Sequence, residues 1–443
     1  MLFVYSILVA VGFVLMSPLF FLRREKYAAG FKQRLGNYPE FKRDGRSVIW
    51  LHCVSVGETN AARPLVDELI KSFPDHRLVI STTTKTGQEL AQTIFKEKAD
   101  AIFYFPFDFK FSVRRALEYF KPSTVLLMET EIWPRFVREA KVSGAKIAIV
   151  NGRFSERSVS RYKLVRPFIS STLRNVDLAL MQGTNDANRI ISLGMPAAKT
   201  VVTGNLKFDV GTTEADGATT EYLRERFALD GSRPLIIAAS THEPEERIVL
   251  EAWCSVANDA SPVRPVLLMV PRHPERFEHV ARMVEDFRHD KACEWSDYSF
   301  TRRSVNESET DRSIDVIMLD SIGELRAAFP LAEIVFVGGS LIPHGGQSIL
   351  EPAAAGNAIV TGAYTNNFAD SVRVFLANHA LIQLPDVSGT AAADELFTTF
   401  CDMLEDREMR QELGRNARAV MEANRGATQK TIKELSRAIF GAA

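Results

Sequence analysis

A carboxylate follows the first apolar stretch of the central sequence. Glu58 stands three residues after SVIWLHCVS, next to the start of a helix that we predict from about Thr59. A carboxylate at a strand end can act as a general base when its surroundings keep its pKa near the working pH. The helix dipole also favours Glu in the first turn of a helix. The spacing alone therefore fits either a catalytic base or a structural helix cap.

A glycine-rich turn precedes a predicted helix within GGSLIPHGGQSILEPAAAGNAIVTG. Gly345 and Gly346 come before S-I-L-E, which is typical of a capping box with Ser348 as N-cap and Glu351 as the third helical residue. Backbone N–H groups at such a helix start can bind a phosphate, and Glu351 could turn toward a ribose diol. Ordinary capping explains the spacing equally well. The segment matches neither GxGxxG nor a Walker loop, so the pattern does not favour NAD or ATP.

Two more strand ends carry polar residues. Arg272 and His273 follow an apolar run, where the guanidinium could bind a phosphate with two hydrogen bonds. Gly323 and Glu324 follow the strand DVIMLD, where they could hold a base or a sugar. Each segment also fits a surface turn.

Four other residues could reach a ligand from strand ends. Lys207 in GNLKFD could supply a point charge, and His242 in STHEPEE occupies a similar position, although a lone His is more often structural. Glu129 and Glu131 could hold a divalent ion or form a polar lid. Because the sequence has no HExxH, DxD or His/Cys cluster, we predict no metal and no cofactor. The basic half carries no aromatic-interleaved patch, so we also predict no nucleic-acid partner.

These residues are positioned by alternating strands and helices. From Ser47, the apolar segments SVIWLHCVS, HRLVIST, AIFYFPF, TVLLMET, KIAIVNG and LALMQG alternate with amphipathic stretches, and a second series runs PLIIAAS, PVLLMVP, DVIMLD, EIVFVGG and NAIVTG. Continuous apolar strands separated by helices predict parallel sheets covered on both faces. We predict two doubly wound α/β domains, 23–210 and 221–443, joined by a linker at 211–220, with ligands at the strand ends in a cleft between them. Residues 407–440 are predicted to be helical.

The amino-terminal segment is apolar. Met1–Leu22 has no charged side chain and as a helix would measure roughly 33 Å, against about 30 Å for the hydrocarbon core of a bilayer. A cleaved signal peptide is the alternative, but the basic start and the small-residue cleavage site are missing. We therefore predict one retained transmembrane helix. Arg23, Arg24 and Lys26 follow it and predict that the remainder lies on the cytoplasmic face.

Basic residues continue beyond this segment. They could contact anionic headgroups or an anionic lipid substrate, or they could form a solvated face; they are Lys32, Arg34, Lys42, Arg43 and Arg46.

The composition is that of a globular protein with a divided charge. The chain has 443 residues, of which 46% are hydrophobic, and a formal net charge of −1. Residues 1–210 hold 31 Lys and Arg against 19 Asp and Glu, and the remainder holds 23 against 36. Cys53, Cys254, Cys293 and Cys401 lie too far apart for a CxxC motif and fit a reducing compartment. Collagen-like, disulfide-rich and disordered classes are excluded.

Taken together, seven motifs resemble the 3-deoxy-D-manno-octulosonic acid (Kdo) transferase family. They occur in the family's order as HCVSVGE, ISTTTKTG, METEIWP, NGRFSERS, GNLKFD, PRHPERF and VGGSLIPHGG. The resemblance implies a membrane-anchored glycosyltransferase of the GT-B fold, in which two Rossmann-like domains face a cleft. It further implies transfer of Kdo from CMP-Kdo to the lipid A precursor, with inversion and without a metal, at the inner membrane.

The resemblance also implies roles for single residues. The family's general base falls on Glu58, and Lys207, His242 and His273 are further candidates for donor or cleft contacts. The family's CMP contacts fall on Pro271, Arg272, Ile322, Gly323, Glu324, Ser348, Ile349, Leu350 and Glu351. The sequence departs from the family at Ser348-Ile349, where Asn-Pro is common, and at Ile322, where Met is frequent.

Two alternative functions share some of these features. Another GT-B transferase or an epimerase acting on a UDP-sugar would have the same fold and phosphate chemistry, but not the anchor combined with SVGE. A catalytically inactive, membrane-bound scaffold that binds nucleotide or lipid would retain the binding residues without turnover.

Overall fold

The computed structural model describes residues 2–22, 29–209, 214–258, 264–288 and 298–441. The chain divides into two compact units. The first comprises Met1–Asp209 with Asn424–Ala443, and the second Val210–Ala423. Each unit contains one seven-stranded sheet in its described residues, and every pairing in both sheets is parallel. The prediction of two parallel α/β domains is confirmed.

The sheet of the first unit has the strand order β3-β2-β1-β4-β5-β6-β7. Its strands are Ser47–Cys53 (β1), His76–Thr82 (β2), Ala101–Tyr104 (β3), Thr124–Met128 (β4), Lys146–Gly152 (β5), Leu178–Met181 (β6) and Thr200–Val202 (β7). The central strand β1 is buried at six of its seven positions. Because helices cover both faces of a parallel sheet, such a strand has a continuous apolar sequence rather than an alternating one.

The helices of the first unit are Leu2–Leu22 (α1), Phe31–Arg34 (α2), Val56–Ala61 (α3), Arg63–Ser72 (α4), Lys85–Phe95 (α5), Lys110–Phe120 (α6), Pro134–Val142 (α7), Glu156–Lys163 (α8), Arg166–Leu173 (α9) and Thr184–Ser192 (α10). Short 3₁₀ turns span Ala197–Lys199 and Leu206–Asp209.

The sheet of the second unit has the order β10-β11-β9-β8-β12-β13-β14. Its strands are Leu235–Thr241 (β8), Val266–Pro271 (β9), Phe300–Arg302 (β10), Val316–Met318 (β11), Ile334–Val337 (β12), Ala358–Thr361 (β13) and Ile382–Gln383 (β14). Its helices are Glu214–Arg226 (α11), Glu245–Asn258 (α12), Phe277–Phe287 (α13), Leu325–Ala328 (α14), Leu350–Ala355 (α15), Ala369–Ala377 (α16), Thr390–Glu405 (α17) and Arg407–Asn424 (α18), the last of which ends at the boundary of the units. The 3₁₀ turns are Pro274–Arg276, Glu309–Ser313, Phe329–Leu331 and Asn366–Phe368.

Three short edge strands are absent from the prediction. They are β7, β10 and β14, which contain only two or three residues each and are partly exposed. Short, half-exposed strands carry too few apolar residues to be recognised as periodic segments. The longer strands of both series fall where the sequence predicts them.

The linker and the second domain boundary differ from the prediction. Residues 214–220 of the predicted linker belong to helix α11, and residues 211–213 lie outside the described part. The last helix, Ala427–Leu435 (α19), and the following π-helical turn Ser436–Phe440 pack on the first unit rather than on the second. Asp209 fixes the start of this helix by accepting hydrogen bonds from the N–H groups of Gly426, at 2.7 Å, and Thr428, at 2.5 Å.

The amino-terminal segment forms helix α1, and side-chain surroundings are described for residues 2–15 of it. Among the described residues, no helix is long and apolar enough to cross a membrane, so the predicted transmembrane helix is not supported. The basic residues Arg23, Arg24 and Lys26 lie outside the described part, as does Cys293. Cys53 and Cys254 are buried, and Cys401 is partly exposed.

Candidate active site residues in the two units

Glu58 lies in the first turn of α3, directly beyond the carboxyl end of the central strand β1. Its Oε2 accepts a hydrogen bond from the backbone N–H of Val54 at 2.7 Å, and its Oε1 lies 3.3 Å from the hydroxyl of Ser55, which donates to it. The side chain therefore turns back toward the end of β1 and accepts a hydrogen bond from a backbone N–H that precedes helix α3. The structural role that the sequence left open is present, and it fixes the orientation of the carboxyl group.

Burial changes the acidity of Glu58. The residue is 8% exposed, and loss of hydration raises its pKa to about 8, while the hydrogen bond from Val54 opposes the shift. The negative charges of Glu129 and Glu131 raise the pKa further. A carboxyl group with a pKa near neutrality can take up a proton and release it again under physiological conditions, as a general base must.

Glu129 forms an ion pair with Lys207. Glu129 follows β4, and its Oε1 lies 3.3 Å from the Nζ of Lys207, which lies in the 3₁₀ turn Leu206–Asp209. Nearby, Glu131 accepts a hydrogen bond from the indole N–H of Trp133 at 3.0 Å, and burial raises the pKa of Glu131. Lys207 thus places one positive charge beside acidic residues that also act electrostatically on Glu58. The sequence singled out these residues but did not indicate their pairing.

The backbone at the ends of β4 and β5 adopts unusual conformations. Glu129 has φ 52° and Asn151 has φ 55°, in the left-handed region that side chains with a Cβ rarely occupy. Asn151 is buried, and its Oδ1 accepts a hydrogen bond from the N–H of Leu206 at 3.0 Å. This contact holds the turn that carries Lys207. Strained residues tend to cluster at functional sites, where the surrounding structure maintains them.

In the second unit, imidazole and guanidinium groups cluster at the strand ends. His242 follows β8, and the centroids of the His344 and His273 rings lie 4.0 Å and 5.3 Å from that of His242. Burial lowers the pKa of His242 to about 4, and the positive charges of His344, His273, Arg276 and Arg272 lower it further. Basic side chains gathered around His242 provide a suitable environment for an anion. The sequence identified His242, His273 and Arg272 but missed His344, which stands in the VGGSLIPHGG motif.

A buried carboxylate organises the loop after β12. Glu245 is fully buried; its Oε1 accepts from the N–H groups of Ser340 and Leu341 at 2.9 Å each, and its Oε2 from Gly339 at 2.7 Å and His242 at 3.0 Å. Gly338 permits this loop to approach β8, because a Cβ there would lie 2.7 Å from the backbone oxygen of Ser240. Sequence reasoning missed Glu245 because four backbone donors from two separate segments converge on it only in the fold.

The predicted capping box at residues 348–351 is only partly correct. Helix α15 begins at Leu350, with Ile349 as N-cap, so the helix starts one residue later than predicted. The hydroxyl of Ser348 accepts a hydrogen bond from the N–H of Leu350 at 3.3 Å and donates one to Glu351 at 2.5 Å. The carboxylate of Glu351 is thus held by a hydroxyl in this structure.

The remaining predicted donor residues lie at the same edge of the second sheet. Pro271 ends β9 and is buried, whereas Arg272 is exposed. Ile322 is 81% exposed and Gly323 has φ 93°. Glu324 accepts a hydrogen bond from Arg303 at 2.9 Å and one from the hydroxyl of Ser321. In the described part of the chain, no group of three or more His, Cys, Asp or Glu residues is arranged to hold a metal ion.

Comparison with known proteins relates this arrangement to a family. Residues 29–210 match the family model described as 3-deoxy-D-manno-octulosonic-acid transferase (kdotransferase). The chain is 32% identical over 413 residues to a 3-deoxy-D-manno-octulosonic acid transferase of Haemophilus influenzae, covering 93% of this chain and 92% of that protein. The chain belongs to the Kdo transferase family. Its members are glycosyltransferases, and one from Bordetella pertussis is 33% identical over 395 residues, 87% of this chain and 86% of that protein.

The fold of this Kdo transferase family member can also be compared with solved structures. The UDP-GlcNAc 2-epimerase of Neisseria meningitidis, solved with UDP-GlcNAc, matches with a TM-score of 0.56 and 14% identity over 88% of this chain and all of that one. At that identity the likeness concerns the fold alone. The sequence-based assignment to the family is thus confirmed, together with a fold of the GT-B kind.

Proposed function

We propose that this protein transfers Kdo from CMP-Kdo to a hydroxyl group of the lipid A precursor, with inversion at the anomeric carbon, in lipopolysaccharide synthesis. The observation that carries the proposal is the buried carboxyl group of Glu58 at the end of β1, with its pKa raised to about 8 and its orientation fixed by Val54. Relatives named as Kdo transferases over most of the chain support the choice of sugar.

Glu58 acts as the general base in the proposed reaction. Its carboxylate accepts the proton of the acceptor hydroxyl while the hydroxyl oxygen bonds to the anomeric carbon of Kdo. The bond between that carbon and the phosphate oxygen breaks, and CMP leaves with the electron pair. General base catalysis of this kind contributes about 10²–10⁴-fold to the rate. The ion pair of Glu129 and Lys207 supplies fixed charges beside the base.

The second unit binds the donor in this proposal. Arg272 supplies a positive charge near the phosphate and the sugar carboxylate, and His242 and His273 supply imidazole groups beside it. Glu245 keeps the loop that follows β12 in place. Electrostatic stabilisation of the charge that develops on the leaving group is usually the largest catalytic contribution. The other residues proposed to contact CMP are Pro271, Ile322, Gly323, Glu324, Ser348, Ile349, Leu350 and Glu351.

The reaction is tested with purified protein, CMP-Kdo and a tetraacyl disaccharide bisphosphate, with the product read by mass spectrometry. We expect Glu58→Gln and Glu58→Ala to lose about 10²-fold or more in turnover. Glu97→Gln serves as the matched control, because Glu97 is exposed in the same unit. Near wild-type turnover of both Glu58 variants would exclude Glu58 as the base. Turnover with a UDP-sugar in place of CMP-Kdo would identify the alternative transferase, and binding without product would identify a scaffold.

We further propose that the protein works at the cytoplasmic face of the inner membrane, where its lipid acceptor lies. The uncharged sequence from Met1 to Leu22 and the basic residues after it support this location. Fractionation of cells that express the full chain or a chain without residues 2–22 tests it. Recovery of the full chain in the soluble fraction would contradict the proposal.

A further inference from the structure

One side of α1 is packed against the first unit. The hydroxyl of Tyr5 donates to Oδ2 of Asp108 at 2.7 Å, and Nη2 of Arg135 donates to Oγ of Ser6 at 2.7 Å and to the carbonyl of Leu2 at 3.2 Å. Both polar side chains among residues 2–15 therefore face protein rather than solvent. Asp108 is 4% exposed, so its contact with Tyr5 belongs to the packed interior of the unit.

The same side continues further along α1 through aromatic contacts. The ring of Phe13 lies 5.2 Å from that of Phe107 and 5.5 Å from that of Phe109, measured between centroids. Phe107 and Phe109 belong to the segment between β3 and α6. Helix α1 therefore contacts the rest of the first unit near its start, through Tyr5 and Ser6, and again at Phe13.

The opposite side of α1 is apolar and exposed. The exposed residues recur with spacings of three and four positions, as in 4, 8, 11 and 15 or 3, 7, 11 and 14, which places them along one stripe of the helix; they are Phe3, Val4, Ile7, Leu8, Val11, Val14 and Leu15. Their exposed fractions run from 47% to 75%. Contiguous exposed apolar surface of this kind marks a place where a protein meets a partner or a membrane.

A second exposed apolar element lies near the start of α1. Leu164 is 86% exposed and Val165 is 48% exposed, in the short connection between α8 and α9. The ring of Phe168, in α9, lies 5.5 Å from that of Tyr5, which places this connection beside α1. Basic side chains stand on both sides of the two apolar residues, all exposed: Arg161, Lys163 and Arg166.

A third element lies beside Phe13. The rings of Phe31 and Phe13 are 6.3 Å apart, and Phe111 stacks on Phe109 at 5.8 Å. Phe31 and Phe111 are 36% and 53% exposed, and each has an exposed lysine next to it in the sequence, Lys32 and Lys110. Apolar side chains flanked by basic ones therefore occur at both ends of the exposed stripe of α1.

We propose that these three elements form one membrane-binding face, on which α1 lies along the surface of an anionic phospholipid bilayer instead of crossing it. We define this face by the exposed stripe of α1, Leu164 with Val165, and Phe31 with Phe111. A helix in this position buries its apolar side about 5–10 Å into the boundary of headgroups and acyl chains. The flanking Lys and Arg residues pair with anionic headgroups near the surface.

The packed side of α1 is the reason to choose this orientation. A helix that crossed the bilayer would separate Tyr5 from Asp108 and Ser6 from Arg135, leaving a buried carboxylate and a guanidinium without these partners. Buried groups left without hydrogen-bond partners in this way destabilise the fold, and charged groups do so most strongly. An in-plane helix keeps all of these contacts and still covers the apolar stripe. This inference rests on the proposed function in one respect, which is that the lipid acceptor lies in the membrane that this face binds.

Depth measurements distinguish the two orientations. The variants Phe3→Cys, Ile7→Cys and Val11→Cys, in a chain that keeps the buried Cys53 and Cys254 but has Cys293 and Cys401 replaced by serine, each have one exposed cysteine. They are labelled with a fluorophore and bound to vesicles of phosphatidylglycerol and brominated phosphatidylcholine. We expect the three labels to be quenched at equal depth. In a crossing helix, position 11 would lie about 12 Å deeper than position 3, and such a gradient would overturn the proposal.

A charge substitution tests the second element separately. We expect Leu164→Asp to reduce partition into phosphatidylglycerol vesicles by about tenfold, and Leu164→Phe to retain it. Val142→Asp is the matched control, since Val142 is a 67% exposed apolar residue at the far end of α7 from Arg135. Wild-type partition of Leu164→Asp would overturn the role of this element. Melting temperatures should remain unchanged, because Leu164 buries little surface.

Two further measurements complete the test. Partition should fall when NaCl rises from 0.1 to 0.5 M, because salt screens the attraction between basic residues and headgroups. Transfer to a detergent-dispersed acceptor should be the same for Leu164→Asp as for the wild type, so a failure of vesicle binding is distinguishable from a failure of the proposed reaction. A dimer in detergent-free buffer that vesicles do not dissociate would show that a second copy covers the face, and would overturn the proposal.

Discussion

The carboxylate of Glu129 lies 3.3 Å from the ammonium group of Lys207, although 78 positions separate them in the sequence. We expect Lys207→Met to lower the rate of Kdo transfer about tenfold or more, because a partly buried carboxylate then lacks its counter-charge. Steady-state kinetics of the variant check this expectation. Lys146→Met, at an exposed lysine that begins β5, is the matched control and should retain the wild-type rate. Equal rates for the two variants would contradict a role for the ion pair.

The pKa of Glu58 predicts a pH dependence. Only the carboxylate can accept a proton, and the carboxyl group loses its proton with a pKa of about 8. The value of kcat/KM should therefore rise tenfold per pH unit below about 8 and level off above it. Rates measured from pH 5.5 to 9.5 in buffers of constant ionic strength check the profile. A rate that is flat across pH 6–8 would contradict an elevated pKa for the base.

The same pKa predicts an effect on stability. The pKa of Glu58 is about 8 in the folded protein and near the ordinary carboxyl value of 4.5 in the unfolded chain, so folding favours the protonated form. Its contribution to stability is present below pH 4.5 and is lost as the pH rises to about 8. Glu58→Gln, which stays neutral, should raise Tm relative to the wild type more at pH 9 than at pH 5. Thermal melts at both values check this, and Glu97→Gln should show no such difference.

The four hydrogen bonds to Glu245 predict a role in maintaining the donor site. Glu245→Gln replaces one acceptor oxygen by an amide donor, which leaves two of the four N–H groups without an acceptor. We expect a loss of about 2–4 kcal/mol in the free energy of unfolding and a higher KM for CMP-Kdo. Urea denaturation and donor titration measure the two effects. Glu251→Gln, at a partly exposed position of the same helix, should change neither.

The carboxyl-terminal helix predicts a stability effect in the first unit. Leu435 is fully buried in a cluster that includes Ile49 and Leu51 of β1. We expect Leu435→Ala to lower the free energy of unfolding by about 2–5 kcal/mol, because it leaves a cavity beside the central strand. Chemical denaturation checks this expectation. Ile70→Ala, at a 39% exposed position of α4, should cost much less.

Much of the fold and part of the site could be predicted from the sequence. Apolar runs such as the one at Ser47–Cys53 have a composition typical of a strand buried on both faces, and their alternation with amphipathic segments predicted parallel sheets. Glu58, Arg272 and His242 could be identified because polar residues that directly follow such strands must lie at one edge of the sheet. The motif order predicted the family, and comparison with relatives confirmed it.

Other features could not be predicted, because they depend on which surfaces meet. The amphipathic pattern of α19 predicts a buried side but not the sheet that covers it, and the structure places this helix on the first unit. The apolar sequence of α1 likewise gives no indication that Tyr5 and Ser6 contact Asp108 and Arg135 in the fold.

The sequence by itself thus determined the longer strands, the alternation of elements and the chemical types of the site residues. These depend on local periodicity and on side-chain chemistry, which every segment carries within itself. Only the tertiary structure decided the pairing of Glu129 with Lys207, the convergence of four N–H groups on Glu245 and the raised pKa of Glu58. The physical reason is that hydration and charge–charge distances are properties of the packed molecule, and residues far apart in the sequence set them together.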